Sequence, residues 1–422
     1  GDRPLDGARQ HSRVDQDRRQ VGQLAGAMIS FDEATALIAS EAQPLATETL
    51  GLVRAAGRVL ARAIAARIDS PRSDVATMDG YAVRDEDLLS VPATLHVIGL
   101  SAPGAGWTGN LARGTCVRVF TGAPIPAGAD TVIMQELVRR VGDLALIDRH
   151  PGADPFIRRR GSDFNAGDEL LATGRLLDPR ALVAAAAADL AEVEVFRRPT
   201  IRILCTGDEL AEPGCATSRV GAIPDSVSLG VAALAEQWGA ECTGRIRLPD
   251  ELAPMEASAA EATQGADVVV VTGGASVGEK DFARAMFEPR GLKLIFSKLS
   301  IKPGKPAWFG RAGSSFVVGL PGNPTSAMVT ARLLLAPLLA RLQGRPLEAA
   351  LAWVPSTLGS ALPACGDRET FHRGIVQDGR VEVLLDQDSG AQRVLAEANV
   401  LVRQMAHSPA LSPGETVGTL AF

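Results

Sequence analysis

From Thr200 to Leu342 solid apolar runs alternate with amphipathic stretches. IRILC ends at the loop CTGDEL, VVVV ends at TGGASVGEKD, and SFVVG ends at LPGNPTSA. Short continuous apolar runs bounded by turn residues suit strands buried on both faces. Between them, DSVSLGVAALAEQWG reads as a helix with Asp225 or Ser226 as cap and Gly239 as stop. DELAPMEASAAEATQG reads as a second helix, capped near Asp250, and ECTGRIRL as a further strand. A long helix follows PGNP and is interrupted by Pro337. Strands alternating with helices of about 12 to 16 residues mean βαβ units and a parallel sheet. An open α/β domain is therefore placed at residues 198–347.

The rhythm differs on either side. Ser30 and Glu33 form the signature of a capping box before FDEATALIAS, and Asp178-Pro179 starts a helix in LLDPRALVAAAAADLA. Residues 68–154 are turn-rich and β-like, as in VRVFTGAPIPAGADTVIMQE. After 348 short β runs return, with a hairpin turning at Asp378-Gly379, so a small β domain is expected at 348–422. Residues 1–27 are polar and free of aromatics, which reads as a disordered extension or a tag remnant.

Composition narrows the function classes. The formal net charge is -6 and aromatics are 4%, so neither a basic field nor stacking platforms for nucleic acid are expected. The five cysteines are scattered without a CxxC pair, which argues against zinc and for a reducing, cytoplasmic setting. No apolar run reaches about 18 residues, so no membrane span is expected.

In open α/β sheets ligands bind beyond the carboxyl ends of the strands. Three loops fall there: one led by Glu209, one with Gly273, Gly274, Ser276, Gly278 and Asp281, and one with Asn323 and Ser326. Glycines let backbone amides approach an oxyanion, and carboxylates hold a cation that bridges to phosphate. One such loop is more often a plain turn; three on one edge favour a site. Neither a P-loop nor a dinucleotide fingerprint fits, since GAGWTG at Gly104–Gly109 lacks a strand-to-helix setting. SKLSIKPGKPAWFG gathers Lys298, Lys302 and Lys305 on a proline-stiffened turn, better read as an anion clamp than as solvated surface. Arg158 to Arg160 read as a surface run, and by spacing alone Asp79 and Thr121 are only turn residues.

MDGYAVR, TGAPIPAGADTVIMQE, GSDFNAGDELL, TGDEL, GGASVGEKD, IKPGKP and GLPGNPTSAM, in this order, resemble the molybdopterin molybdotransferase family, the MoeA proteins and the C-terminal domain of gephyrin. The resemblance implies an α/β multidomain fold with a mixed, mostly parallel central sheet. Around it come a helical or linker domain (28–67 and 155–197), a β-rich insertion (68–154) and the small C-terminal β domain. It implies a homodimer whose active site takes Asp79 and Thr121 from the partner subunit. The implied reaction is insertion of molybdate into adenylylated molybdopterin with Mg2+, releasing AMP and molybdenum cofactor. Glu209, Asp250 and Asp281 match metal or substrate positions, and Arg368 matches an arginine near the molybdate site. A molybdopterin adenylyltransferase and molybdoenzyme acceptors are the implied partners.

The chain departs from the family pattern at Val75 and Val227, where asparagine is usual, at Ala275, and at Arg393-Val394, where serines are frequent. Each lost amide forgoes hydrogen bonds worth about 0.5–1.5 kcal/mol. Those changes support a second hypothesis, a divergent paralogue that binds molybdopterin or a partner without turnover. A third, an adenylyltransferase, is opposed by the matches outside the α/β domain.

Overall fold

The computed structural model describes residues 27–150, 152–273 and 282–422. Contact density parts the chain into two compact units. One comprises residues 49–56 and 62–194; the other comprises the segments up to Glu48, Gly57–Ala61 and Val195–Phe422. The first helix, α1 (Phe31–Glu41), belongs to the larger unit. Its Ser30–Glu33 capping box forms in full, with Ser30 Oγ accepting from the Glu33 amide and Glu33 returning to the Ser30 amide.

The smaller unit is built on six strands: β1 (Gly80–Val83), β2 (Ala93–Ser101), β3 (Thr115–Val119), β4 (Thr131–Met134), β5 (Val138–Val141) and β6 (Leu144–Ile147). Their order is β4-β1-β3-β2-β6-β5, with only β2 and β3 parallel. Alternation sends Tyr81, Val83, Cys116 and Ile133 to one core, and Ala82, Val117, Val119 and Val132 to another. The sheet is thus covered on both faces. Helix α2 (Pro179–Ala187) starts as expected, with Asp178 accepting from the Ala181 amide. The arginine run is tied down: Arg159 pairs with Asp74 at 2.6 Å and Arg160 with Asp69 at 2.5 Å. In GAGWTG the last glycine makes room for an indole, since a Cβ on Gly109 would lie 2.5 Å from Trp107.

The larger unit carries a second six-stranded sheet. Its strands are β7 (Thr200–Thr206), β8 (Glu241–Leu248), β9 (Val268–Thr272), β10 (Lys293–Phe296), β12 (Trp308–Ala312) and β13 (Ser315–Leu320), ordered β8-β7-β9-β13-β12-β10. The first four are parallel, whereas β12 runs against both neighbours. Helices α3 (Val227–Gln237), α4 (Leu252–Gly265) and α5 (Pro324–Leu342) accompany it. The strands feed two cores in strict alternation: Val268 and Val270 to one side, Val269 and Val271 to the other.

Helix α4 begins next to Asp250 as expected, with Glu251 at the cap position and no side-chain cap bond from it. One local expectation needs correction. Pro337 does not interrupt α5. The helix runs through it by widening to a π turn at Ala331–Leu335. Pro337 has no N–H to give to the carbonyl one turn back, and the wider turn accommodates the missing bond. α5 is long and apolar enough to cross a membrane by length and composition, yet its apolar stretch is 89% buried inside the protein.

Five strands close the C-terminal region into a small barrel: β14 (Val354–Leu358), β15 (Glu369–Gln377), β16 (Arg380–Val383), β17 (Val400–Gln404) and β18 (Thr416–Ala421). Closure comes from the pairing of β15 with β17. Asp378 and Gly379 both have positive φ (51° and 77°), as the two-residue hairpin requires. The two-residue strand β11 (Ile301–Lys302) adds in parallel to β15. Phe371, Leu401 and Leu420 of the barrel join the same core as α1 and α5, so barrel and α/β domain share one apolar interior.

Candidate functional site

β7, β9 and β13 are adjacent and parallel, so CTGDEL, the TGG loop and LPGNP leave the same edge of one sheet. Beyond that edge lies a cleft of about 770 Å³. Thr206, Gly207 and Glu209 line it after β7, Thr272 and Gly273 after β9, and Gly322 and Asn323 after β13. Asp250, Asp225 and Val227 close the side made by α3 and α4, Pro306 enters from the lysine segment, and Gly390 and Gln392 enter from the barrel region.

Glycine is required at the floor. Gly273 has φ +89°, and a Cβ there would lie 2.5 Å from the Thr206 carbonyl oxygen. A Cβ on Gly322 would touch the Gly273 Cα at 3.4 Å, so two backbones approach each other directly. Gly207 (φ +143°) lets the Glu209 carboxylate fold against the chain; a Cβ would meet its oxygen at 2.7 Å. Glu209 is exposed, and its carboxylate has no hydrogen-bond or ion-pair partner among the described residues. Asp250 is half-buried, and its amide donates to Asp208 Oδ1 at 3.1 Å.

Asp225 is the cleft residue that sequence reading took only for a cap. It is 2% exposed, accepts from the Ser228 amide (3.2 Å) and hydroxyl (2.6 Å), and also forms cleft wall. Arg245 donates to the Ser228 hydroxyl at 2.9 Å, which sets a cation behind this pair. A capping aspartate and a buried site aspartate look alike in sequence, so no pattern separates them. Val227, at the first position of α3, is 9% exposed and packs into the main core while facing the cleft.

Asn323 is exposed, and its amide donates to Ser389 Oγ at 2.8 Å. The Thr325 amide donates to the Ser389 carbonyl at 3.0 Å, which fastens residues 389–391 across the start of α5. Ser326 is buried on the first turn of α5 and does not line the cleft. Gly274, Ser276, Gly278 and Asp281 lie outside the described residues. Among the described residues no group of three His, Cys, Asp or Glu is gathered to hold a metal. Glu209 and Asp250 nevertheless face one cleft as hard oxygen donors, a donor type suited to Mg2+.

Lys298, Lys302 and Lys305 are all exposed. The Leu299 amide donates to the Lys305 carbonyl at 2.9 Å and closes their turn; a Cβ on Gly304 would strike Thr330 of α5 at 2.2 Å, so the turn lies on that helix. None of the three lines the large cleft. Lys302 lines a neighbouring groove of about 380 Å³ with His372, Arg373 and Leu385. Arg373 also lines this groove, and the Arg368 guanidinium donates at 3.4 Å to the carbonyl of Ile301, the neighbour of Lys302. Arg373 is 1% exposed, donates to the Asp388 carbonyl at 3.1 Å, and leaves its Nε without a partner among the described residues. Burial pulls its pKa down. Burial likewise lowers the pKa of His372, against a hydrogen bond to Gln404 at 2.9 Å.

Asp79 and Thr121 lie in the smaller unit and do meet. One oxygen of Asp79 accepts both the Thr121 amide (2.7 Å) and hydroxyl (2.8 Å). Those bonds, the amide's first, hold the Asp79 carboxyl below the usual carboxylate range. Arg118 stands over the Tyr81 ring at 5.0 Å and the Phe120 ring at 5.3 Å beside them.

The chain matches the MoeA N-terminal region (domain I and II) over residues 29–189, a probable molybdopterin binding domain over 202–341, and the MoeA C-terminal region (domain IV) over 355–422. It is 36% identical over 397 residues to the molybdopterin molybdenumtransferase of Haemophilus influenzae, covering 92% of this chain and 98% of the relative. It is 33% identical over 387 residues to that of Synechococcus elongatus, covering 88% and 94%. The molybdopterin biosynthesis MoeA protein of Pyrococcus horikoshii superposes with a TM-score of 0.80 at 28% identity, covering 94% of this chain and all of that one. Three consecutive regional matches and relatives matched over nearly their full length agree: the chain belongs to the molybdopterin molybdenumtransferase family, transferases of molybdenum cofactor biosynthesis.

Proposed function

We propose that this chain binds adenylylated molybdopterin and molybdate, inserts the molybdenum into the dithiolene, and with Mg2+ opens the adenylate anhydride to release AMP. The observation that carries the reading is the convergence of Glu209, Asp250, Asn323 and the glycine floor at the ends of four adjacent parallel strands, β8, β7, β9 and β13. Gly207 and Gly273 leave backbone close enough to meet phosphate oxygens, with Asn323 as an amide donor opposite. Hydrolysis consumes one water, whose oxygen joins phosphorus as the P–O–P bridge breaks. Glu209 and Asp250, with Asp281, would hold Mg2+, which when bound offsets charge on the phosphoryl oxygens. Lys298, Lys302 and Lys305 supply positive charge to the molybdate, and Arg373 adds one from the barrel.

In this reading the protein works as a cytoplasmic homodimer, in which Asp79 and Thr121 complete the site of the other copy. An adenylyltransferase supplies the substrate and molybdoenzymes take the product. Incubation with adenylylated molybdopterin, Mg2+ and molybdate is expected to yield molybdate-dependent AMP. Tight molybdopterin binding without AMP would instead establish the non-catalytic paralogue, which the apolar Val227 in the cleft wall favours. A monomeric mass by light scattering at micromolar concentration would contradict the shared site.

A further inference from the structure

The chain carries 43 basic residues, but only five are lysine, and all five fall between Lys280 and Lys305. Every other basic position, from the termini to both sheets, is arginine. Within that same window the division is functional. Arg284 donates to the Ser297 carbonyl at 2.9 Å and stands over the Trp308 ring at 5.7 Å. Arg290 donates to Thr263 Oγ1 at 3.2 Å. The cations that hold structure are thus arginines. Lys298, Lys302 and Lys305 are exposed and have no side-chain partner among the described residues. Lys293 sits on β10, an outer strand of the sheet, where a lysine discourages pairing with another chain. Lys280 lies outside the described residues.

We infer that the anion site discriminates ammonium from guanidinium: Lys302, with Lys298 and Lys305, cannot be replaced by arginine although the charge is kept. The inference rests on the proposed function for its anion, and on the geometry for its choice of residue. Lys302 stands on β11 opposite Thr370 and lines a groove that already contains a buried arginine, Arg373. A second planar fork needs two acceptor oxygens in its plane and more width than an ammonium. An ammonium is a compact charge whose three donors rotate, so it follows an oxyanion whose coordination changes as molybdenum is transferred. A chain that uses arginine wherever a fixed cation suffices has kept lysine where the donor must turn.

The test uses the full chain in Lys302→Arg, Lys302→Met and Lys305→Arg, with Lys293→Arg as control. Two quantities are read: the dissociation constant for molybdate by calorimetry, and molybdate-dependent AMP release. Lys302→Arg is expected to weaken molybdate at least tenfold and to fall as far as Lys302→Met, with an unchanged thermal midpoint. Lys305→Arg is expected to follow it, and Lys293→Arg to match the parent. Binding and turnover within threefold of the parent in Lys302→Arg would overturn the inference. A parent that binds molybdate yet releases no AMP refutes the proposed reaction, while the molybdate titrations still decide between ammonium and guanidinium.

Discussion

The strand-end cleft and the Asp79–Thr121 corner present the same chemical group in opposite conditions. Glu209 lies in the open against a glycine, with no partner among the described residues. Asp79 is held by two bonds from one threonine, and its charged form is favoured before any ligand arrives. A carboxylate left free is suited to a cation supplied from outside. A carboxylate already fixed is suited to presenting a shape and a constant charge. The first contributes binding free energy, and the second contributes orientation that has already been established during folding.

Substitutions in the cleft should separate these roles most sharply. Asp281→Ala is expected to abolish AMP release with the fold intact, and normal turnover in that variant would refute its metal role. Glu209→Gln should lower AMP release on the order of a hundredfold. Its effect should shrink little on raising substrate, and a pure KM change would move Glu209 from metal holding to plain binding.

Gly273→Ala tests the floor. The new methyl would meet the Thr206 carbonyl at 2.5 Å at a φ of +89°, so a loss of about 1–3 kcal/mol is expected in urea unfolding. Stability equal to the parent would show that the strand ends yield, and that the cleft is less rigid than its backbone contacts indicate.

The corner should respond to pH rather than to unfolding. Asp79 has a lowered folded pKa, so its stabilisation is present above the ordinary aspartate value and is lost as pH falls through the lowered one. Carbon-detected NMR should place its titration below that of ordinary surface aspartates, and Thr121→Val should move it upward. An Asp79 that titrates normally would remove the contrast with Glu209. The last substitution, Val227→Asn, tests the cleft wall. Burying an amide in a 9% exposed site should cost about 1–3 kcal/mol, while any lost substrate contact is restored as a lower KM. An unchanged KM would mean that this wall does not touch substrate.

Much of this was legible locally. The Ser30–Glu33 box, the Asp178-Pro179 start and the Asp378-Gly379 hairpin each depend on residues within four positions, and each formed as read. The run VVVV gave a strand buried on both faces because no polar alternation marked a solvent side. The motif order also carried the family, and the strand-then-loop rhythm carried the expectation that three loops share one edge. Other features had no local signature. Asp225 looked like a cap because a cap is what its nearest bonds make it. Arg373, in FHR, carries no mark that distinguishes it from the more exposed arginines near it in sequence, yet it is 1% exposed. Pro337 was misread because a proline deep inside a helix predicts a break, whereas this helix is packed on most sides and absorbs it with a π turn just before it.

By itself the sequence determined the elements, the order of chemical groups at strand ends and the restriction of lysine to one segment, because these follow from short-range periodicity and residue type. Only the tertiary structure decided that β7, β9 and β13 stand side by side, that β15 closes on β17, and that Ser389 is fastened to the start of α5. Those outcomes depend on contacts between residues far apart in the chain, where burial and backbone pairing choose among partners that look equivalent locally.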